Sequence, residues 1–203
     1  MPTNKFVTRL KNSLINRVIS PGFIMTRILK YKMLSTCQHV KGNPICVGPV
    51  LIKGLGKVVF QDNVNIGVVA SPYFYNTYCY IEARQPESSI TIGSGVYLNN
   101  NACLISEGEG IVLGSNVLVG PNFTVFDSDF HAIDPSKRLN GVPKTALVKI
   151  DDNVFIGANV TILKGVNIGE NSVIASNSLV SKSIPPNVIA GGNPCKVLKE
   201  ITI

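Results

Sequence analysis

Residues 150–184 read IDDNVFIGANVTILKGVNIGENSVIASNSLVSKSI, and a period of six runs through the whole stretch. Every sixth residue is aliphatic: Ile150, Ile156, Ile162, Ile168, Ile174 and Val180. A second set of small or aliphatic residues follows four positions after the first, each preceded by Asn, Gly or Ser: Val154, Val160, Val166, Ser172, Ser178 and Ile184. An amphipathic helix repeats its apolar residues at about 3.6 positions and a strand at about two, so neither explains this spacing. A fixed period of six predicts a solenoid of parallel β-strands.

The repeat also predicts how the coil is built. Each hexapeptide supplies one short strand and one corner, three strands close a triangular coil, and stacked coils bury a continuous aliphatic column. Asn and Gly suit the corners because they tolerate left-handed backbone dihedrals. A turn-rich β-sandwich is the alternative, but six consecutive matches in one phase favour the β-helix. The predicted fold class is therefore all-β, a parallel β-helix.

The repeat reaches further back along the chain, with two interruptions. Phe60 and Ile66 are already six residues apart. We expect residues 68–89 to form a lateral excursion or an edge segment, and residues 126–147 to form an extruded loop. Loops that leave a regular solenoid commonly carry function. The resulting prediction is a β-helix domain over residues 42–203, closed at its C-terminal end by a short helix or strand.

The first part of the chain has helical periodicity. An apolar residue recurs at every fourth position in a first stripe: Phe6, Leu10, Leu14 and Val18. Ser20-Pro21-Gly22 predicts a break after this stripe, and a second helical stretch follows the break. We predict that residues 1–41 form a basic amphipathic helical extension. Residues 5–34 then have two alternative roles. They cap the solenoid or pack on a neighbouring subunit, or they lie in a membrane interface with their basic residues toward anionic headgroups.

The net charge of +7 is concentrated at one end, because ten Lys or Arg residues and no Asp or Glu precede Asp62. This distribution predicts an anionic partner such as a membrane surface or a phosphorylated substrate. Nucleic acid is disfavoured because the charges are not interleaved with aromatic residues. The five cysteines are scattered without a Cys-x-x-Cys pair, which predicts reduced thiols in a cytoplasmic protein and no zinc site. No apolar run is long enough to span a bilayer.

The loop histidine is the main candidate for chemistry. His131 lies two residues after Asp129 in the predicted extruded loop. Histidine is the side chain best suited to take a proton at neutral pH, and a nearby carboxylate would orient its ring. The other histidine, His39, precedes the repeats without an acidic neighbour, and we interpret it as structural. Taken alone, an exposed loop histidine without a catalytic role is the simpler interpretation.

Two segments resemble a known enzyme family. Residues 150–174, and residues 180–201 with the sequence VSKSIPPNVIAGGNPCKVLKEI, are similar to the hexapeptide-repeat acyltransferases. The nearest branch contains the galactoside and maltose acetyltransferases and their polysaccharide O-acetyltransferase relatives. The resemblance covers about residues 90–201, with repeat, loop histidine and Gly-Asn-Pro terminus in the family's order. It implies a left-handed parallel β-helix, assembled as a homotrimer with active sites between subunits and acetyl-CoA lying along the coils.

The resemblance also implies roles for individual residues. His131 corresponds to the family's general base, with Asp129 beside it. Asn100, or a neighbour one position away, corresponds to the asparagine that orients the acceptor, and Asp127 is assigned to the same acceptor site. The positions that line the coenzyme correspond to Ala158, Ser176, Ser181, Lys182, Lys196 and Lys199. Small residues allow the pantetheine to approach the backbone, and lysines suit the nucleotide phosphates.

These features predict an acetyl-CoA-dependent O-acetyltransferase that acts on a sugar hydroxyl in surface polysaccharide biosynthesis, by direct transfer and without a metal. A covalent route through Cys103 or Cys195 is the alternative mechanism. The alternative functions are N-acetylation of a nucleotide-linked amino sugar, and a non-catalytic β-helix that binds a partner. The chain also departs from the family, which usually has proline at the position of Lys164.

Overall fold

The structure is a computed structural model that describes residues 20–202. Within that range the chain forms one α-helix, α1 (Ser20–Leu34), and then twenty short strands that are numbered here in chain order. The strands stack into three sheets, and all pairings are parallel except the last. The predicted parallel β-helix is confirmed.

Each complete coil contributes one strand to each sheet. The first sheet contains β1 (His39–Lys41), β4 (Lys57–Phe60), β7 (Ser89–Ile92), β10 (Ile111–Leu113), β13 (Val148–Ile150) and β16 (Asn167–Ile168). The second sheet contains β2 (Ile45–Cys46), β5 (Asn65–Ile66), β8 (Tyr97–Leu98), β11 (Leu118–Val119), β14 (Phe155–Ile156), β17 (Val173–Ile174), β19 (Val188–Gly191) and β20 (Lys196–Glu200). The third sheet contains β3 (Val50–Lys53), β6 (Cys79–Ala83), β9 (Cys103–Ser106), β12 (Thr124–Phe126), β15 (Thr161–Ile162) and β18 (Leu179–Val180).

The core is the aliphatic column that the repeat predicts. The six aliphatic residues that recur from Ile150 to Val180 have no exposed surface. The six residues that follow them by four positions, from Val154 to Ile184, are also buried. Together with earlier coils they form one continuous apolar cluster that extends from Val58 to Cys195. Because full burial of such a side chain contributes roughly 1.5–3 kcal/mol relative to exposure, the column is the main source of stability.

Asparagines hold two of the three corners. One column consists of Asn101, Asn122, Asn159 and Asn177, and the other of Asn116, Asn153, Asn171 and Asn187, and each of these residues has a positive φ. Within the first column, Asn159 Nδ2 donates to Asn177 Oδ1 at 3.0 Å, and Asn159 Oδ1 accepts from Asn122 Nδ2 at 2.9 Å. Asparagine is favoured there because it tolerates the left-handed conformation and its amide bonds to the next coil.

Helix α1 lies against the first coils. The Arg27 guanidinium donates to the carbonyl of Phe74 at 2.7 Å and to that of Thr77, and the Tyr31 ring stacks on Tyr78 with 4.4 Å between centroids. Residues Ser20, Pro21 and Gly22 are helical in the described range, so the predicted break at these three residues is wrong. The predicted stripe from Phe6 to Val18 lies outside the described residues. No described helix combines the length and apolar character that crossing a bilayer requires.

The two interruptions of the repeat and the closing segment also have defined structures. Residues 67–78 form a lateral excursion between β5 and β6, and residues 127–147 form the extruded loop between β12 and β13. The predicted excursion over residues 68–89 is too long, because β6 (Cys79–Ala83) is a regular strand of the third sheet. The loop contains a 3₁₀ turn, Pro135–Lys137, whose N-cap Asp134 accepts from the Ser136 N–H. The chain closes with β20, antiparallel to β19, so the alternative of a closing helix is excluded for these residues. Regular strands begin at His39, before the predicted domain boundary at residue 42.

Candidate active site

The extruded loop leaves the coil at the corner between the third and first sheets, here called the loop corner. Its two ends are tied together by an antiparallel bridge between Ser128 and Thr145. The Ala146 N–H donates to the Asp127 carbonyl at 2.8 Å, and the Asp129 N–H donates to the Lys144 carbonyl at 3.1 Å. The loop therefore has a narrow, hydrogen-bonded base, and His131 lies just beyond it.

His131 is exposed, and one of its ring nitrogens has a defined partner. Its Nδ1 lies 3.2 Å from the backbone carbonyl oxygen of Arg138. Because a carbonyl oxygen only accepts, this contact assigns the ring proton to Nδ1 and leaves Nε2 as a proton acceptor. The ring is thus oriented by a backbone carbonyl. The expectation that the Asp129 carboxylate orients it is wrong, because that carboxylate has a different partner.

Asp129 pairs with Lys164 on the following coil. Its Oδ1 accepts from Lys164 Nζ at 2.9 Å, and the two side chains are 27% and 26% exposed. The other oxygen, Oδ2, is enclosed and has no hydrogen-bond partner within residues 20–202. The pair ties the loop base to the next coil. Sequence reasoning missed this role of Lys164, although its presence at a position usually held by proline was a signal.

Arg84 fixes the residue that precedes the histidine. Its guanidinium forms ion pairs with Glu82 at 2.9 Å and Glu107 at 3.4 Å, and its Cζ lies 5.1 Å from the centroid of the Phe130 ring. The hydrogen bond to Glu82 raises the pKa of Arg84, so the cation is permanent. Phe130 has a φ of 59°, a left-handed conformation that a bulky residue rarely adopts. The Arg84 contacts therefore hold a strained residue next to His131.

Asp127 has no exposed surface, contrary to its predicted position in the acceptor site. Its carboxylate accepts from the Ser106 hydroxyl at 2.8 Å and from the backbone N–H groups of Glu107, Gly108 and Gly110 at 2.7, 3.1 and 2.7 Å. A carboxylate enclosed by four donors has no surface left for an acceptor. We therefore replace the predicted acceptor-binding role with a structural one, in which Asp127 shapes the turn beside the loop base.

Asn100 is also committed to structure. It is 5% exposed, its Oδ1 accepts from the Val68 N–H at 3.0 Å, and its Nδ2 donates to the carbonyls of Val68, Ser71 and Pro72 at 2.8, 3.3 and 2.9 Å. These bonds hold the lateral excursion and leave no group to orient an acceptor. The neighbouring Asn99 is half-buried, and its amide nitrogen has no partner among the described residues. The alternative register at Asn99 is therefore the better candidate.

Two of the predicted coenzyme positions share the loop corner. Val125, Ile162 and Val180 are stacked in register on three successive coils of the third sheet. Ser181 and Lys182 come directly after Val180, so they lie at the loop corner two coils beyond the loop base. Both side chains are exposed. The structure therefore brings these two residues to the same edge of the coil as the loop that carries His131.

The other coenzyme positions lie elsewhere on the chain. Ala158 and Ser176 stack at the corner between the second and third sheets, where the Ala158 N–H donates to Ser176 Oγ at 3.1 Å. Asn99 lies at this same corner. Lys196 and Lys199 are exposed on β20, at the end of the second sheet. One chain thus divides the predicted site residues between two corners and a terminal strand.

The cysteines are poor candidates for a covalent route. Burial raises the pKa of Cys103 to about 11, and the negative charge of Glu82 adds to the effect. Burial also raises the pKa of Cys195, partly offset by its hydrogen bond with Ser178. Both thiols are therefore protonated at neutral pH, whereas a nucleophilic cysteine requires the thiolate.

Comparison with protein families identifies the repeat. Residues 148–182 match the family described as bacterial transferase hexapeptide, six repeats. This segment is therefore similar to the hexapeptide-repeat transferases. The predicted resemblance is confirmed at this level, and the three-sheet coil is the left-handed β-helix of that family. Within residues 20–202, no three His, Cys, Asp or Glu side chains are grouped so that they would hold a metal ion.

Similarity to individual hexapeptide-repeat proteins covers more of the chain. The chain is 42% identical over 127 residues to a galactoside O-acetyltransferase of Lactococcus lactis, which is 61% of this chain and 60% of that protein. It is 42% identical over 114 residues to the galactoside O-acetyltransferase of Escherichia coli, covering 56% and 55%. A solved galactoside acetyltransferase in complex with coenzyme A is 40% identical with a TM-score of 0.50, covering 56% of each chain. The chain thus spans less than two thirds of the length of these relatives.

Proposed function

We propose that this chain is an acetyl-CoA-dependent O-acetyltransferase that acts on a sugar hydroxyl. The observation that carries the proposal is the orientation of His131, whose Nδ1 faces the Arg138 carbonyl and whose Nε2 is left to accept a proton. Similarity to galactoside O-acetyltransferases supports acetyl transfer to a sugar, and the coenzyme A complex of such a protein supports the donor.

The proposed mechanism is direct transfer with one general base. Acetyl-CoA supplies an acetyl thioester when it is bound. Nε2 of His131 takes the proton from the acceptor hydroxyl as that oxygen attacks the thioester carbonyl carbon. The imidazolium then returns this proton to the coenzyme A thiolate when the carbon–sulfur bond breaks, so His131 ends the cycle neutral. Because the proton stays on Nδ1 throughout, the Arg138 carbonyl holds the ring in both protonation states.

A complete site requires more than one copy of the chain. Ser181 and Lys182 share the loop corner with His131, but Asn99, Ala158 and Ser176 lie at a different corner. We therefore propose a homotrimer in which one copy supplies the loop and its neighbour supplies the other corner. Self-association is supported by a column of half-exposed apolar residues on the outer face of the second sheet: Tyr97, Leu118 and Phe155.

The coenzyme and the acceptor make different demands on these residues. Lys182, Lys196 and Lys199 are exposed cations suited to the nucleotide phosphates, and Asn99 is proposed to orient the sugar. We further propose a cytoplasmic role in surface polysaccharide biosynthesis. The basic first third of the chain suits a phosphorylated or lipid-linked glycan acceptor.

The test is turnover of the His131→Ala variant with acetyl-CoA and a panel of glycan acceptors. We expect kcat to fall by ~10²–10⁴-fold while coenzyme A binding, measured by calorimetry, is retained. His39→Ala replaces the chain's other histidine, which is also exposed, and is expected to keep parental turnover. Near-parental turnover of His131→Ala would refute the assignment. The acceptor panel includes amino sugars, because transfer to an amine in preference to a hydroxyl would identify an N-acetyltransferase.

A further inference from the structure

Helix α1 presents an apolar stripe on its outer face. One side of the helix turns Ile28 and Tyr31 toward the coils, where both are partly buried. The opposite side carries Met25, Leu29 and Met33 at a spacing of four, and these side chains are 66%, 55% and 77% exposed. Residues at this spacing lie in line along a helix, so the three form a continuous surface, here called the helix stripe.

The helix is fixed so that the stripe points outward. Arg27 donates to two backbone carbonyls of the lateral excursion, and Tyr31 stacks on Tyr78. These contacts all use the inner side of the helix. The 15 residues extend for roughly 22 Å, which suits a helix lying along a surface. The stripe is therefore presented by a helix anchored to the β-helix.

The charge around the stripe is positive. Lys30 and Lys32 are exposed on the same helix, and residues 20–34 contain no acidic residue. Two copies that met through this face would place like charges against each other, which disfavours a symmetric contact. An occupant complementary to this surface combines an apolar region with negative charge, and an anionic bilayer surface has both.

Exposed aromatic residues lie beside the start of the helix. Tyr73 and Tyr75 of the lateral excursion are 40% and 52% exposed, and the Tyr75 hydroxyl is 3.4 Å from Ser20 Oγ. Tyrosine has an apolar ring with a polar tip and is favoured at the boundary between lipid and water. The Tyr75 ring therefore lies next to Ser20, on the side of the helix that also carries Arg27 and Tyr31.

We propose that the helix stripe docks on the surface of an anionic lipid bilayer. The axis of α1 would lie parallel to the membrane, with Met25, Leu29 and Met33 in the acyl–headgroup boundary and Lys30 and Lys32 near lipid phosphates. The β-helix remains outside the bilayer. This inference does not depend on the proposed acetyl transfer, and its test does not measure activity.

The test uses the full chain and sedimentation with vesicles. Vesicles of phosphatidylcholine with phosphatidylglycerol are compared with vesicles of phosphatidylcholine alone. Met25→Ser/Leu29→Ser/Met33→Ser removes the stripe, and we expect binding to anionic vesicles to fall by at least ~10-fold. Lys30→Gln/Lys32→Gln is expected to weaken binding by roughly 5-fold for each lysine and to reduce its salt dependence. The matched control substitutes three exposed apolar residues elsewhere: Leu139→Ser/Val142→Ser/Leu198→Ser.

Each outcome bears on the proposal. Loss of binding in the stripe variant, with binding retained in the control, supports it when circular dichroism and size-exclusion chromatography match the parent. Equal binding of the parent to both vesicle types, or parental binding by the stripe variant, overturns it. A change in oligomer mass of the stripe variant without lipid also overturns it, because the occupant would then be a second copy. If the stripe variant does not fold, the Lys30→Gln/Lys32→Gln variant is used instead: weakened binding to anionic vesicles supports the proposal, and parental binding overturns it.

Discussion

The guanidinium of Arg84 lies over the ring of Phe130, with 5.1 Å between Cζ and the ring centroid. Phe130 also meets Phe126 edge-on at 5.1 Å between centroids, at the end of β12 where the loop begins. Because His131 is the next residue, this stack sets the position from which the imidazole is presented. Arg84 does not need to touch a substrate to influence turnover; it acts as a positioning residue.

We expect Arg84→Met to lower kcat by roughly 10–100-fold, because small displacements of a catalytic group have effects of this size. The KM for acetyl-CoA should change by less than about 3-fold, since no coenzyme candidate contacts Arg84. Arg84→Lys keeps the charge but loses the planar stack and should give an intermediate kcat. Steady-state kinetics provide the measurement.

The control for Arg84 is Lys137→Met, which removes a cation from the loop that carries His131. Lys137 is 71% exposed and pairs only loosely with Asp134 at 3.9 Å. Its removal should leave kcat within about 2-fold of the parent. Parental kcat in Arg84→Met would show that the stack does not position His131. A parallel fall in kcat and in folded fraction would indicate a general loss of structure.

The ion pair between Asp129 and Lys164 predicts an asymmetry between single and double variants. Lys164→Met leaves a carboxylate with neither oxygen paired, since Oδ2 already lacks a partner among the described residues. We expect it to lower the free energy of unfolding by about 1–2 kcal/mol, a value limited by the partial exposure of the pair. The double variant Asp129→Asn/Lys164→Met should lose less free energy of unfolding than Lys164→Met alone, because the neutral amide does not need the cation.

A double-mutant cycle in urea measures this coupling. Lys144→Met is the matched control, because Lys144 is an exposed residue at the loop base that contributes only its backbone carbonyl to the described contacts. It should change the free energy of unfolding by less than about 0.5 kcal/mol. Additive effects of Asp129→Asn and Lys164→Met would contradict a coupled pair.

The fold was predictable because the repeat encodes it locally. Two positions in every six are buried, and the more regular of them, which runs from Ile150 to Val180, is aliphatic and fully buried in all six repeats. The loop was predictable because residues 126–147 interrupt that pattern. The helical state of Ser20-Pro21-Gly22 was not predictable, because in the sequence this tripeptide is typical of a break.

The site was predictable only where a residue acts within its own segment. His131 follows from its place in the loop, but its Arg138 partner depends on how the loop folds back. The burial of Asp127 and Asn100 depends on donors and acceptors that lie on other coils, which a single segment does not display. Arg84 was missed for the same reason, because its partner Phe130 is 46 residues away in sequence.

The asparagine column predicts a preference for glycine over alanine at a corner. Asn159 has a φ of 58° and bonds to the asparagines above and below it. Asn159→Gly and Asn159→Ala lose the same side-chain bonds and both need the left-handed conformation at this corner. Glycine adopts it without steric strain, whereas for alanine it costs about 1 kcal/mol. Urea unfolding should therefore rank the parent above Asn159→Gly and Asn159→Gly above Asn159→Ala. Equal stability of the two variants would show that the corner relaxes to another conformation.

Stability at alkaline pH should depend on Cys79. Burial raises the pKa of this thiol from its ordinary value of 9.0 to about 11. The folded chain therefore keeps the proton where the unfolded chain releases it, so the unfolded state gains stability as the pH rises above 9. The contribution of Cys79 is complete below pH 9 and is lost between pH 9 and about 11, by ~3 kcal/mol. Above that range the thiol is ionised in both the folded and the unfolded chain, and Cys79 no longer makes the free energy of unfolding depend on pH.

Urea unfolding of the parent and Cys79→Ala at pH 8, 9, 10 and 11 measures this loss. The variant loses stability at every pH because a buried side chain is truncated, but the difference from the parent should shrink as the pH rises. Cys103, with a pKa of about 11, and Tyr80, with a pKa raised to about 12 mainly by burial, act in the same direction and are present in both proteins. The difference between the two proteins therefore reports Cys79 together with its charge coupling to Cys103. Val64→Ala truncates a buried residue that does not titrate. Its free energy of unfolding should therefore lie below that of the parent by the same amount at all four pH values. A Cys79→Ala curve that also stays parallel would mean that the thiol ionises in the folded chain as readily as in the unfolded one.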